Sequence, residues 1–196
     1  MERITMVNEI IAAGISIVTI GYTIVVYNGL IRLKNNADRA FANIEVVLKQ
    51  RHTELPRLLE VCKGYMKHER SLLLAITQAR SRVHSAQENH DISALGKAET
   101  LMRTSLSQLF FRCEAYSELK ASTNFLALQQ RISQLEDVIA DRRETFNESV
   151  ALNNTRIQQF PDVVLAKSFG FLAMTYLKFE TSDLLPPSVS LTASST

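Results

Sequence analysis

The stretch Ile10-Ile11-Ala12-Ala13-Gly14-Ile15-Ser16-Ile17-Val18-Thr19-Ile20-Gly21-Tyr22-Thr23-Ile24-Val25-Val26-Tyr27 decides the fold, because no charge occurs between Glu9 and Arg32. A helix needs about 20 apolar residues to cross the core of a bilayer, and this run is long enough. A cleaved signal peptide is the rival reading. It fits less well: Arg3 in the leading segment is offset by Glu2, and no small-x-small site follows the β-branched run from Thr23 to Val26. The run is therefore read as a membrane anchor over residues 10–28, preceded by a short segment, 1–9. Tyr22 and Tyr27 suit the membrane interface, where an apolar ring meets a wet hydroxyl, and Arg32 and Lys34 follow them on the polar side. Arg3 alone precedes the span, while Arg32, Lys34 and Arg39 follow it closely. The positive flank stays in the cytoplasm, so the expected topology is single-pass in the cell membrane, N-terminus outside and the rest cytoplasmic.

Outward from the anchor, apolar residues step by three and four rather than by two, the period of helices. Leu30, Leu33, Ala37, Ala40, Ile44 and Val47 form one stripe, and no proline interrupts it, so the membrane helix is predicted to continue as one rod to about Arg51. Thr53 and Pro56 resemble a cap and first-turn proline opening a second helix. Its seam runs Leu55, Leu58, Cys62, Tyr65, Glu69, Leu72, Ile76, Ala79, Val83 and Ala86, coiled-coil-like spacing with one polar intruder. Glu88 to Asp91 breaks the pattern, and Leu95 to Tyr116 marks a third helix. Ser122 or Thr123 caps a fourth, which carries Phe125 to Phe160 and stops at Pro161. A short apolar helix is expected over 162–180 and a disordered Ser/Thr/Pro-rich tail over 181–196. The predicted class is all-α: a transmembrane helix continuing into an antiparallel up-down bundle of four long helices plus a short C-terminal helix, over residues 29–180.

Composition agrees with a helical protein and restricts function little. The chain has 196 residues, 46% apolar and 21% charged, and its 22 Lys+Arg against 20 Asp+Glu is too even for a surface that tracks nucleic-acid phosphates. Cys62 and Cys113 cannot make a disulfide framework and read as buried apolar fillers.

Several residues invite a chemical reading. His68-Glu69 opens like a zinc-binding H-E-x-x-H, but Leu72 stands where the second histidine belongs. Lys63-Gly64 lacks the earlier glycine of a phosphate loop, and the triplets Asn147-Glu148-Ser149 and Asn153-Asn154-Thr155 fall inside a predicted helix. No acid, base, nucleophile or metal set converges, so no catalytic residue, metal or cofactor is assigned and an enzyme is not expected. Glu69 lies on an apolar seam, where a carboxylate needs a partner, and Arg142 lies on the stripe of the fourth helix. Glu69 is expected to pair with Arg142 or Arg143 inside the bundle and fix helix register. Phe169-Gly170-Phe171 is a candidate partner-binding knob set against the simpler reading of core aromatics.

Taken together, Tyr27-Asn28-Gly29-Leu30-Ile31, Ala40-Phe41-Ala42-Asn43-Ile44-Glu45-Val46-Val47-Leu48-Lys49-Gln50-Arg51, Leu55-Pro56-Arg57-Leu58, Val61-Cys62-Lys63-Gly64-Tyr65, Tyr116-Ser117-Glu118-Leu119-Lys120-Ala121, Phe146-Asn147-Glu148-Ser149-Val150 and Phe160-Pro161 resemble the LemA family of bacterial membrane-anchored proteins. The likeness covers about residues 20–180 in chain order. The departures, such as Phe41 for the usual Trp, are mostly conservative in volume. The resemblance implies one membrane helix followed by a helical bundle. It also implies relatives in magnetosome-forming gene sets, and others beside a membrane metalloprotease.

Two functions are therefore expected to compete. One is a self-associating membrane scaffold, a homo-oligomer in contact with lipid and helped by Gly14 and Gly21 on one side of the span. The other is an adaptor that binds another membrane protein, such as a quality-control metalloprotease. Neither involves nucleic acid.

Overall fold

The computed structural model describes residues 2–179, and among them it is all-helical. Six helices follow in order: α1 (Glu2–Tyr65), α2 (Arg70–Glu88), α3 (Ile92–Cys113), α4 (Ser117–Lys120), α5 (Thr123–Gln158) and α6 (Asp162–Ser168). The tail expected over 181–196 lies outside the described residues.

The largest departure from the sequence reading is α1, which runs unbroken through Thr53 and Pro56 to Tyr65. At 1.5 Å per residue it is about 96 Å long. An interior proline removes one helical hydrogen bond and strands the carbonyl four residues earlier, here that of His52. Arg80 of α2 supplies the missing donor, its Nε donating to the His52 carbonyl at 3.2 Å and its Nη2 lying 2.9 Å from His52 Nε2. Thr53 does not cap a helix either, since its hydroxyl donates back to the Lys49 carbonyl at 3.0 Å. The true reversal comes at residues 66–69, which places Glu69 at the N-cap of α2, half-buried and making no side-chain capping bond. The seam read as one helix through Tyr65, Glu69 and Leu72 is thus two: Leu55, Leu58 and Cys62 on α1, then, past the buried Met66 of the turn, Leu73, Ile76, Ala79 and Val83 on α2. Tyr65 is exposed.

Arg80 carries a testable consequence. Burial and the Arg80 cation, with smaller contributions from His84 and Arg51, hold the His52 imidazole below the usual histidine pKa. The folded state therefore keeps His52 neutral where the unfolded chain takes up a proton, and stability falls as pH drops through the ordinary histidine range. Arg80→Ala is expected to lower the unfolding free energy by about 1–2 kcal/mol at neutral pH, through the stranded carbonyl. It also raises the His52 pKa, so that the acid-side loss becomes shallower. Denaturant unfolding at several pH values, with an NMR titration of the His52 ring, checks both.

The other breaks follow local chemistry. Asp91 caps α3, its carboxylate accepting from the Ala94 amide at 2.9 Å, and Ser122 caps α5 by accepting from the Phe125 amide at 3.4 Å. Contacts pair Phe41 with Phe146 and Arg51 with Glu136, so α5 runs antiparallel to the later part of α1, and Tyr22 bonds to Asp162 of α6 beyond it. α2 packs chiefly on α3. One core joins the four long helices, with Ile44, Leu48, Ile76, Met102, Ile132 and Phe146 fully buried within it. Cys62 and Cys113 are both buried and unbridged, and the hydrogen bond with Cys113 together with burial keeps the Cys62 thiol protonated.

The C-terminal helix expected over 162–180 is shorter and ends at Ser168. Residues 171–179 instead form an extended strap along α5. Two asparagines hold it: Asn154 donates to the Met174 carbonyl and accepts from its amide, at 2.9 and 2.8 Å, and Asn147 does the same with Leu177, at 3.1 and 2.9 Å. The spacings agree physically. Seven helical residues rise about 10.5 Å and three extended residues about 10 Å, so the two latches stay in step.

Candidate functional site

Two places bring polar side chains together. The first is inside the bundle, where Arg51 continues the apolar stripe Ile44, Leu48, Leu55 into the core and is only 1% exposed. Its Nη2 bonds to Glu99 of α3, and its Nη1 lies 2.6 Å from Glu136 Oε1 of α5, so one guanidinium ties three helices. Arg103 Nε adds a longer contact, 3.7 Å, to the other Glu136 oxygen. Burial alone would lower the Arg51 pKa, but the two carboxylates more than offset it and keep the guanidinium charged. Burial raises the Glu99 pKa against the pull of Arg51. Arg51 Nε and Glu99 Oε2 have no hydrogen-bond partner among the described residues. A cation held this deeply between three helices couples their positions to one another. Among the described residues, no group of three His, Cys, Asp or Glu side chains is placed to hold a metal ion.

The second place is the corner between α5 and α6, beside the charge-free half of α1. The Tyr22 hydroxyl donates to Asp162 Oδ1 at 3.1 Å, and Asp162, buried, is also ion-paired with Arg156. Tyr27 packs edge-on against Phe169 and Phe171, with ring centres 5.0 and 5.9 Å apart. A small separate core of Val26, Leu30, Ile157 and Ala166 lies beneath. Tyr27, Ile31 and Lys34 face Asn153 and residues 169–174 across an open cleft of about 440 Å³.

The residues singled out from sequence are distributed unevenly. Tyr22, Tyr27, Phe169 and Phe171 come together at this corner, with Lys34 at the cleft and Arg32 exposed one turn along α1. Glu69, Arg142 and Arg143 do not: among the described residues no ion pair joins them, and Arg142 is exposed. Glu69 sits in the turn after α1 rather than on a seam, and Arg143 lies over the Phe179 ring of the strap, 4.4 Å from its centre.

This helical layout accompanies a match to the LemA family profile over residues 40–191, most of the chain. The chain belongs to the LemA family. It is 30% identical to Protein LemA of Metamycoplasma hominis over 150 residues, which is 74% of this chain and 67% of that protein. It is 22% identical to Magnetosome protein MamQ of Magnetospirillum gryphiswaldense over 173 residues, 76% of this chain and 64% of that one. This LemA-family chain thus spans about two thirds the length of the relatives it matches.

The ionic centre of this LemA-family bundle escaped the sequence reading for one reason. With a helix break set at Arg51, its place four residues after Val47 and four before Leu55 looked like a terminus instead of a core position. Glu99 lies between the buried Ala98 and Met102, which was the available signal. Asn147 and Asn154 carried none, because their partners are backbone groups of the strap.

Proposed function

We propose that the protein is a single-pass membrane-anchored LemA-type scaffold, non-enzymatic, whose up-down bundle of four long helices stands off the bilayer and associates with copies of itself. The observation that carries this reading is the continuity of α1. Its first part leaves Ile10, Ile17, Val18 and Val25 about 70% exposed, which is untenable in water and natural in lipid, and its second part is the first helix of the bundle. Anchor and first bundle helix, about 18 helical turns, therefore share one axis. Gly14 and Gly21 lie seven residues apart with nothing near where a Cβ would stand, leaving a small-residue face on which a second anchor helix can pack closely. Three basic residues after the span against one before it favour a cytoplasmic bundle.

Light scattering of the full chain in lipid particles tests self-association. A defined multiple of the protomer mass is expected, and Gly14→Leu with Gly21→Leu reduces it. A monomer overturns the scaffold and leaves the adaptor reading. One observation favours that second reading: the bundle end far from the anchor exposes Leu74, Phe111 and Leu126, large apolar side chains on α2, α3 and α5 where a partner membrane protein can dock.

A further inference from the structure

The α5–α6 corner has an unusual surface for a part of the bundle. Within residues 160–172 it exposes four large apolar side chains, Phe160 at 85%, Leu172 at 82%, Val164 and Phe169. Their height along α1 is fixed by contacts to the anchor. Asp162 accepts from Tyr22, Phe169 stacks on Tyr27, and Ala166 and Ile157 cover Val26. If the anchor fills the bilayer from Ile10 to Asn28, Tyr22 lies six residues inside its end, about 9 Å at the helical rise. Asp162 is held at that height, and Phe169, packed on Tyr27, sits nearer the end of the span.

We propose that this corner is a second membrane-contacting element, dipping Phe160, Val164, Phe169 and Leu172 into the leaflet beside the anchor. The proposal rests on the membrane-anchor reading of α1. Its occupant is a phospholipid surface, and three features select it. The deepest contact, Asp162 with Tyr22 at about 9 Å, lies within the roughly 5–10 Å to which interfacial elements bury their apolar face. The patch lies directly beside the exposed apolar surface of α1, joined to it through Tyr22 and Tyr27. Lys167, Arg32 and Lys34, exposed around it, supply the basic rim that anionic headgroups require. The acidic group at the corner, Asp162, is buried, neutralised by Arg156 and hydrogen-bonded to Tyr22, which is how a carboxylate persists at membrane depth. Two points of attachment then fix the rotation and tilt of the bundle over the bilayer, which a lone helix leaves free.

The chain contains no tryptophan, so a single one reports its own position without background. The full chain carrying Phe160→Trp or Leu172→Trp is reconstituted into phosphatidylcholine–phosphatidylglycerol vesicles with lipids brominated near the headgroup or at mid-chain. Both side chains are exposed, so neither substitution disturbs packing. Emission at both sites is expected to be blue-shifted and to fall by about half with the shallow bromine, less with the deep one, as interfacial depth requires. Ile17→Trp, within the span, is quenched by the deep label, and Phe111→Trp, at the far end of the bundle, by neither. Quenching at Ile17 with none at Phe160 and Leu172 overturns the corner contact and leaves the anchor standing. No quenching at Ile17 overturns the anchor and the proposal with it. A blue shift at Phe160 that follows protein density and not bromine identifies a second copy as the occupant and also overturns it.

Discussion

Arg51→Met is expected to destabilise the bundle by about 3–5 kcal/mol, because it leaves Glu99 buried with no compensating charge. Glu99 is fully buried, and Arg51 is the donor its carboxylate bonds to. Glu136 suffers less, since it is partly exposed and retains Arg103. A loss of this size is a large share of the stability of an ordinary domain, so the variant is expected to unfold in detergent at much lower denaturant than the parent.

The sign of its pH dependence separates a buried charge from simple loss of packing. The Glu99 pKa is already raised by burial, and removing the cation raises it further. A carboxyl whose folded pKa stands above its unfolded value favours the folded state most at low pH and loses that advantage as pH rises through the folded pKa. The deficit of Arg51→Met should therefore shrink as pH is lowered toward the carboxylate range. Arg51→Met with Glu99→Leu should recover most of it at neutral pH, since apolar replacement of a whole buried pair is often neutral or better. Helical circular dichroism against denaturant at two pH values reads both effects. A deficit indifferent to pH and to the second substitution removes the ionic centre as a source of stability.

Helix class, the break at Glu88 to Asp91, the cap at Ser122 and the membrane-length apolar run were legible in the sequence, because each depends on residues adjacent in the chain or one helical turn apart. The break after α1 was not. Thr53 and Pro56 have the composition of a helix start, and only Arg80, 24 residues beyond Pro56, turns that signal off by satisfying the His52 carbonyl. The same misplacement hid Arg51 and moved Glu69 onto a seam it does not occupy. The coincidence is geometrical: Cys62 to Glu69 is one heptad, so a stripe drawn across the reversal keeps its period while its residues change helix. The aromatic pair Phe169 and Phe171 was visible as a motif, yet its contact with Tyr27 spans 142 residues from Tyr27 to Phe169 and has no local trace.

Gly96→Ala offers the second large effect, and it isolates the strap. A methyl group at Gly96 would stand 2.2 Å from the backbone carbonyl oxygen of Lys178, an overlap that only displacement of the strap relieves. Displacement breaks the bidentate bonds of Asn147 with Leu177 and exposes the Leu177 side chain, now fully buried. Burying a leucine contributes about 1.5–3 kcal/mol, against which the better helix propensity of alanine returns only about 1 kcal/mol. Gly64→Ala is the matched control, since nothing lies within 4 Å of its added methyl and it too is helical. The same substitution is thus expected to have opposite signs at two helical glycines, stabilising at Gly64 and destabilising at Gly96. Hydrogen exchange localises the cause. The Met174 and Leu177 amides, each bonded to an asparagine side chain, should lose protection in Gly96→Ala while amides in the middle of α2 keep theirs. Asn147→Ala should reproduce the loss at Leu177 without touching α3. If both amides stay protected in Gly96→Ala, the strap does not cross α3 at Gly96, and the glycine then has no packing role there.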